Sequence, residues 1–151
     1  MNRSKTKGFT LIELLVVIAI IGLLSTLAII ALNSARVKSR DAKRVSDIKQ
    51  IQTALELYYA DSSEYPIEAL AVNLGNTGQL KLCDKASSGG WADACTTTTY
   101  MGQVPKDPTA AQNYAYTAAS PGSTYSITFT LEGVVGSLAA GAHTATPNGI
   151  Q

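Results

Sequence analysis

The run from Phe9 to Leu32 spans 24 residues and carries one charge, Glu13, near its N-terminal end. As a helix it would be ~36 Å long, enough to cross a hydrocarbon core of ~30 Å. A polar leader, Met1 to Gly8, precedes it and contains Arg3, Lys5 and Lys7. A carboxylate inside a membrane span costs on the order of 2.5–3.5 kcal/mol at mid-bilayer, so Glu13 is a functional suspect. Two plainer readings compete. A secretory signal peptide has a shorter apolar stretch and a small-residue cleavage site after it, whereas here the small residue at a polar–apolar boundary is Gly8, before the run. An ordinary signal anchor would let Glu13 reach back to the headgroups. Flanking charge leaves orientation open, because Arg36, Lys38, Arg40, Lys43 and Arg44 follow the span and by the positive-inside rule would favour a cytoplasmic C-terminal side.

The segment Lys7-Gly8-Phe9-Thr10-Leu11-Ile12-Glu13-Leu14-Leu15-Val16-Val17-Ile18-Ala19-Ile20-Ile21-Gly22 closely resembles the leader and first helix of type IV pilins and type II secretion pseudopilins. The resemblance is specific over about 25 residues, weaker as far as Asp61, and one of general layout beyond that. It implies that a prepilin peptidase cuts between Gly8 and Phe9 on the cytoplasmic side, that the Phe9 amine is methylated, and that the remaining chain lies outside. Residues four apart share a helix face, so Glu13 is placed to meet its own Phe9 amine or that of a neighbouring subunit. The resemblance implies the neighbour. A buried charge needs a partner, so Glu13 would set the register of assembly more than it would supply stability. Relatives often carry a proline late in the apolar segment; Leu27 to Leu32 has none, which leaves Gly22 and Ser25 as the expected weak points.

Beyond the span no proline occurs before Pro66, and Val45, Ile48, Ile51, Leu55 and Tyr58/Tyr59 recur at steps of three and four. This is the stripe of a helix that covers a sheet. Arg36, Lys38, Arg40, Lys43, Arg44 and Lys49, with Asp41 and Asp47, are expected to face headgroups or solvent. Asp61 to Pro66 reads as the helix exit. Ile67 to Pro108 reads as loop-rich and holds both cysteines, Cys83 and Cys95. An even count in an exported domain favours a disulfide, with two buried thiols as the alternative. Ser87 to Trp91 would form the tip of that loop, and Trp91 is either a tucked anchor or a contact residue. Tyr114–Thr117, Tyr125–Leu131 with a clear period of two, and Ala142–Thr146 read as strands of a small antiparallel sheet, which needs a helix across one face.

The expected fold is therefore α+β: a leader over 1–8, a transmembrane and filament-core half-helix over 9–32, an amphipathic half over 33–61, and a small head over 62–151. Val104-Pro105-Lys106-Asp107-Pro108 looks like the turn before the sheet in major pseudopilins, where a nearby loop binds calcium. Asp107 could supply one oxygen ligand, or be a simple turn former; no other cofactor is suggested.

The formal charge is +1, and loss of the leader leaves nine basic against eleven acidic residues. With no aromatics among the basic residues after the span, nucleic acid is not an expected partner. A lone histidine, His143, and the absence of a triad, HExxH, P-loop or dinucleotide motif argue against an enzyme. The reading is a structural filament subunit, held in the cytoplasmic membrane until assembly and then part of a cell-surface or periplasmic filament. Its partners would be the prepilin peptidase and methyltransferase, identical and related subunits, membrane lipid, and an assembly platform with a separate ATPase. Pilus and pseudopilus are not distinguished by these residues. A membrane-anchored extracytoplasmic binding module that never polymerises, with the Trp91 loop as contact site, is the alternative.

Overall fold

The computed structural model describes residues 8–151; Met1 to Lys7 of the leader lie outside the described residues. The chain divides into two units, one ending at Arg36 and one spanning Val37–Gln151. Helix α1, Leu11–Ser62, contributes to both. Its first part is continuous through Gly22 and Ser25, where Ser25 Oγ donates to the Ile21 carbonyl at 2.7 Å and Thr26 Oγ1 to that of Leu23 at 2.7 Å. These local bonds occupy hydroxyls that have no other partner in an apolar setting. Every residue from Gly8 to Arg36 is exposed. The apolar run buries nothing within its own unit.

In the second unit α1 ends where Ser63 adopts a left-handed conformation, φ 56°, with its N–H on the Tyr59 carbonyl at 2.7 Å, a common way to close a helix. Strands β1 (Glu68–Asn73), β5 (Ala115–Ala118), β6 (Ser126–Leu131), β7 (Gly141–Thr146) and β8 (Gly149–Ile150) form an antiparallel sheet in the order β1-β5-β6-β7-β8. Strands β2 (Lys81–Cys83), β3 (Trp91–Ala92) and β4 (Thr99–Met101) form a second, in the order β3-β2-β4, with the short helix α2 (Lys85–Ser88) between β2 and β3.

The period-two reading holds along β6: Ile127, Phe129 and Leu131 are buried, while Thr128 and Thr130 are exposed. From α1, Ile48, Ile51, Leu55 and Tyr58 pack into one core with Tyr114, Tyr116, Ile127 and Phe129. Each fully buried large apolar side chain contributes about 1.5–3 kcal/mol, so this face of α1 supplies the cover that the sheet needs. The sheet also has more strands than the three expected. The stretch from Ile67 to Pro108 is not simply loop: it supplies β1 and the whole second sheet. Strands β2, β3 and β4 are two or three residues long, too short to show alternation, and β1 is a largely exposed edge strand whose pairing with β5 contains a register shift.

Cys83 and Cys95 are bonded to each other, with Cα atoms 5.3 Å apart. Closing that loop stabilises the fold by roughly 3 kcal/mol on the chain-entropy account. Trp91 is 6% exposed and meets Tyr116 edge-on at 5.2 Å, so it is a core residue and offers no contact surface to a partner.

Candidate functional site

Two polar constellations stand out against the apolar background, one in each unit. The first is at the start of α1. Thr10 precedes the helix, and Glu13 sits in its first turn. The Glu13 carboxylate accepts from the Thr10 N–H at 2.8 Å and the Thr10 hydroxyl at 2.7 Å, while the Glu13 N–H reaches Thr10 Oγ1 at 3.3 Å. This is a capping box. It satisfies backbone groups that a helix start leaves without partners, and it gives the carboxylate two donors within its own chain. The signal is present in the sequence as Thr10-Leu11-Ile12-Glu13, a threonine followed three residues later by a glutamate ahead of an apolar run. Phe9 is 79% exposed, and Phe9, Ile12, Glu13, Val16 and Val17 line one shallow groove. Phe9 and Glu13 therefore share a face, as the four-residue spacing requires. Gly8, also exposed, lies in the non-helical segment before them.

The second constellation corrects part of the expectation for the charges after the span: Arg36, Lys38, Lys43 and Lys49 are exposed as expected, but Arg44, Asp41 and Asp47 are not. Arg44 and Asp41 are completely buried, and Asp47 and Asp107 nearly so. Arg44 Nε donates to Asp107 Oδ2 at 2.8 Å and Nη2 to Asp107 Oδ1 at 3.0 Å, a forked pair. Nη1 donates to Asp41 Oδ1 at 2.6 Å and to Glu132 Oε1 at 2.8 Å, and Nη2 also reaches Thr109 Oγ1 at 2.8 Å. Asp41 in turn accepts from the backbone N–H groups of Glu132 at 3.1 Å and Gly133 at 2.7 Å. Arg40 forms a second fork with Glu132 at the rim. Lys43 pairs with Asp47 at 2.6 Å, and the Tyr114 hydroxyl donates to the same carboxylate at 3.0 Å. The physical reason is the helix period. Stepping back from Ile48 by four and then three residues lands on Arg44 and Asp41, so the buried face continues through charged positions.

Burial by itself works against the Arg44 charge, and its bonds to Asp107, Glu132 and Asp41 outweigh that, holding the guanidinium above its ordinary value. The Glu132 carboxyl is drawn from 4.5 to about 2, first by the hydrogen bonds from Arg40 and then by those from Arg44. A carboxyl lowered on folding stabilises fully above its unfolded value and loses that contribution as pH falls through its folded value. Acid titration of the head by circular dichroism is therefore expected to lose stability between pH 4.5 and about 2. Glu132→Gln should flatten that part of the curve; an unchanged slope would remove Glu132 from the account.

As a calcium ligand Asp107 does not fit. Its two oxygens already accept from Arg44 and from the Thr109 N–H at 2.7 Å. Among the described residues no group of three or more His, Cys, Asp or Glu is arranged to hold a metal ion. His143 has its ring nitrogens 2.8 and 3.1 Å from the backbone oxygens of Ala139 and Gln151.

Residues 3–29 match the family described as the prokaryotic N-terminal methylation motif, and residues 31–137 match that described as type II secretion system protein G. The chain is 34% identical over 122 residues to the type II secretion system core protein G of Klebsiella michiganensis, covering 81% of this chain and 79% of the relative. With the protein of the same name from Vibrio cholerae it shares 33% over 123 residues, 78% of this chain and 73% of the relative. The match to that of Aeromonas hydrophila, 39% over 66 residues, spans 44% of this chain and 46% of the relative. No solved structure gives a significant match.

Proposed function

The chain belongs to the type II secretion system protein G family, and from that premise we propose that it is a structural subunit of a secretion pseudopilus, cut between Gly8 and Phe9, methylated on Phe9 and assembled through its N-terminal helix. The family is structural and not enzymatic, and membership favours a pseudopilus over a pilus. The observation that carries the reading is the apolar segment from Phe9 to Leu32, helical from Leu11, which buries nothing within its own unit and bears one carboxylate. An apolar surface of that extent must be covered. It is the one helix among the described residues long and apolar enough to cross a membrane, so lipid covers it before assembly and other subunits afterwards.

In lipid, the Thr10 cap gives the Glu13 carboxylate two donors, which lowers the cost of holding it there. Cleavage before Phe9 creates a cationic amine on the same helix face. In the filament, the Phe9 amine of one subunit meets the Glu13 carboxylate of the next, and a register that fails to bring them together leaves a buried charge unpaired. A disulfide between Cys83 and Cys95 supports a head on the oxidising side of the membrane, hence a leader on the cytoplasmic side. Cleavage and methylation fall to a prepilin peptidase and methyltransferase. Extraction from the membrane falls to an assembly platform with its own ATPase, because the chain has no nucleotide motif.

Filament shearing tests this. Co-expressed with its peptidase and assembly machinery, the chain is expected in the pellet of sheared filaments as well as in membranes. Recovery in membranes alone, with machinery that assembles a related subunit, would favour a non-polymerising anchored module.

A further inference from the structure

Arg44 provides a cation at a point where three segments of the head must be held together. A guanidinium carries five N–H donors, and each has an acceptor here: one on Nε to Asp107, two on Nη1 to Asp41 and Glu132, two on Nη2 to Asp107 and Thr109. The acceptors come from three places: Asp41 from α1, Asp107 and Thr109 from the segment before β5, and Glu132 from just after β6. The Asp107 and Asp41 oxygens that do not meet Arg44, or share it, take backbone N–H groups of Thr109, Glu132 and Gly133. Arg40 adds a second positive charge on Glu132. A divalent ion would have to bring such oxygens within ~2.3–2.6 Å of itself, and the nitrogens of Arg44 already stand in front of them.

We propose that Arg44 is a built-in cation that does the tethering a bound calcium ion would otherwise do, so that the fold of the head, and with it the supply of assembly-competent subunits, is independent of calcium. This goes beyond the filament role, which would be the same for a calcium-dependent head. Its failure would leave that role intact.

The test is thermal unfolding of the full chain in detergent micelles, followed by near-ultraviolet circular dichroism of the buried tyrosines, in EGTA and in millimolar calcium chloride. The two midpoints are expected to agree within ~1 °C, since a ligand that does not bind the native state adds nothing to its stability. A saturable rise of several degrees with calcium would overturn the proposal. Arg44→Met is expected to lower the midpoint by ~10 °C or more, and adding Asp107→Asn to it to recover part of that loss, because one buried carboxylate no longer lacks its cation. An Arg44→Met chain as stable as wild type would overturn the proposal equally. If Arg44→Met does not fold, the EGTA comparison on the wild-type chain decides alone.

Discussion

Glu13→Ala is expected to be cleaved before Phe9 as efficiently as the wild-type chain, yet to be nearly absent from filaments. On the proposed reading a peptidase would act at the Gly8-Phe9 boundary, which the substitution leaves alone. Assembly is different. With the carboxylate gone, each Phe9 amine entering the helical bundle has no anion to meet. Removing one partner of a buried pair costs about 3–5 kcal/mol, and at 1.4 kcal/mol per decade even the lower figure is over ~100-fold in each subunit addition. Quantitative blotting of sheared filaments against membranes should show that loss with the cleaved fraction unchanged. Thr10→Val serves as the control. It removes the capping hydroxyl at about 1 kcal/mol but keeps the carboxylate, so its defect should be much the smaller of the two. Normal filament yield from Glu13→Ala would remove the pairing from the account.

The largest effect on stability is expected from Arg44→Met. The side chain is completely buried and touches three carboxylates. Methionine fills part of the volume but leaves Asp41 and Asp107 buried without their cation, a loss of about 3–5 kcal/mol. Arg40→Met is the matched comparison. Its partner is the same Glu132, but Arg40 and Glu132 are 34% and 26% exposed, and ion pairs at that depth contribute ~1 kcal/mol or less. Chemical denaturation of the two variants should therefore separate them by several-fold in free energy. Equal losses would mean that depth of burial is not what makes Arg44 matter.

What was legible in the sequence is what is encoded locally. The N-terminal methylation motif lies within residues 3–29, so its pattern needs no tertiary information. Strand β6 alternates over six residues with one face buried, and the alternation survives into the structure. The apolar stripe of α1 was readable as far back as Val45, which packs partly buried against the core. It was lost at Arg44 because a charged residue on the buried face is indistinguishable, by residue type, from one facing water. Only the positions of Asp107 and Glu132, 63 and 88 residues away, convert it into a core residue. The same distance hid the role of Asp107, which reads as a turn former or a metal ligand until its arginine is placed beside it. The second sheet was illegible for another reason. Its strands of two or three residues pair on either side of β2, one from within the Cys83–Cys95 loop and one from beyond it, and pairs so short carry no periodic signal.

Intact mass of the chain recovered from sheared filaments decides whether it is a processed filament subunit. The expected mass is that of a chain that begins at N-methylated Phe9 and lacks two hydrogens, those of the Cys83 and Cys95 thiols. A filament-borne chain that still carried Met1 to Gly8, or a processed chain found in membranes and never in filaments, would contradict it.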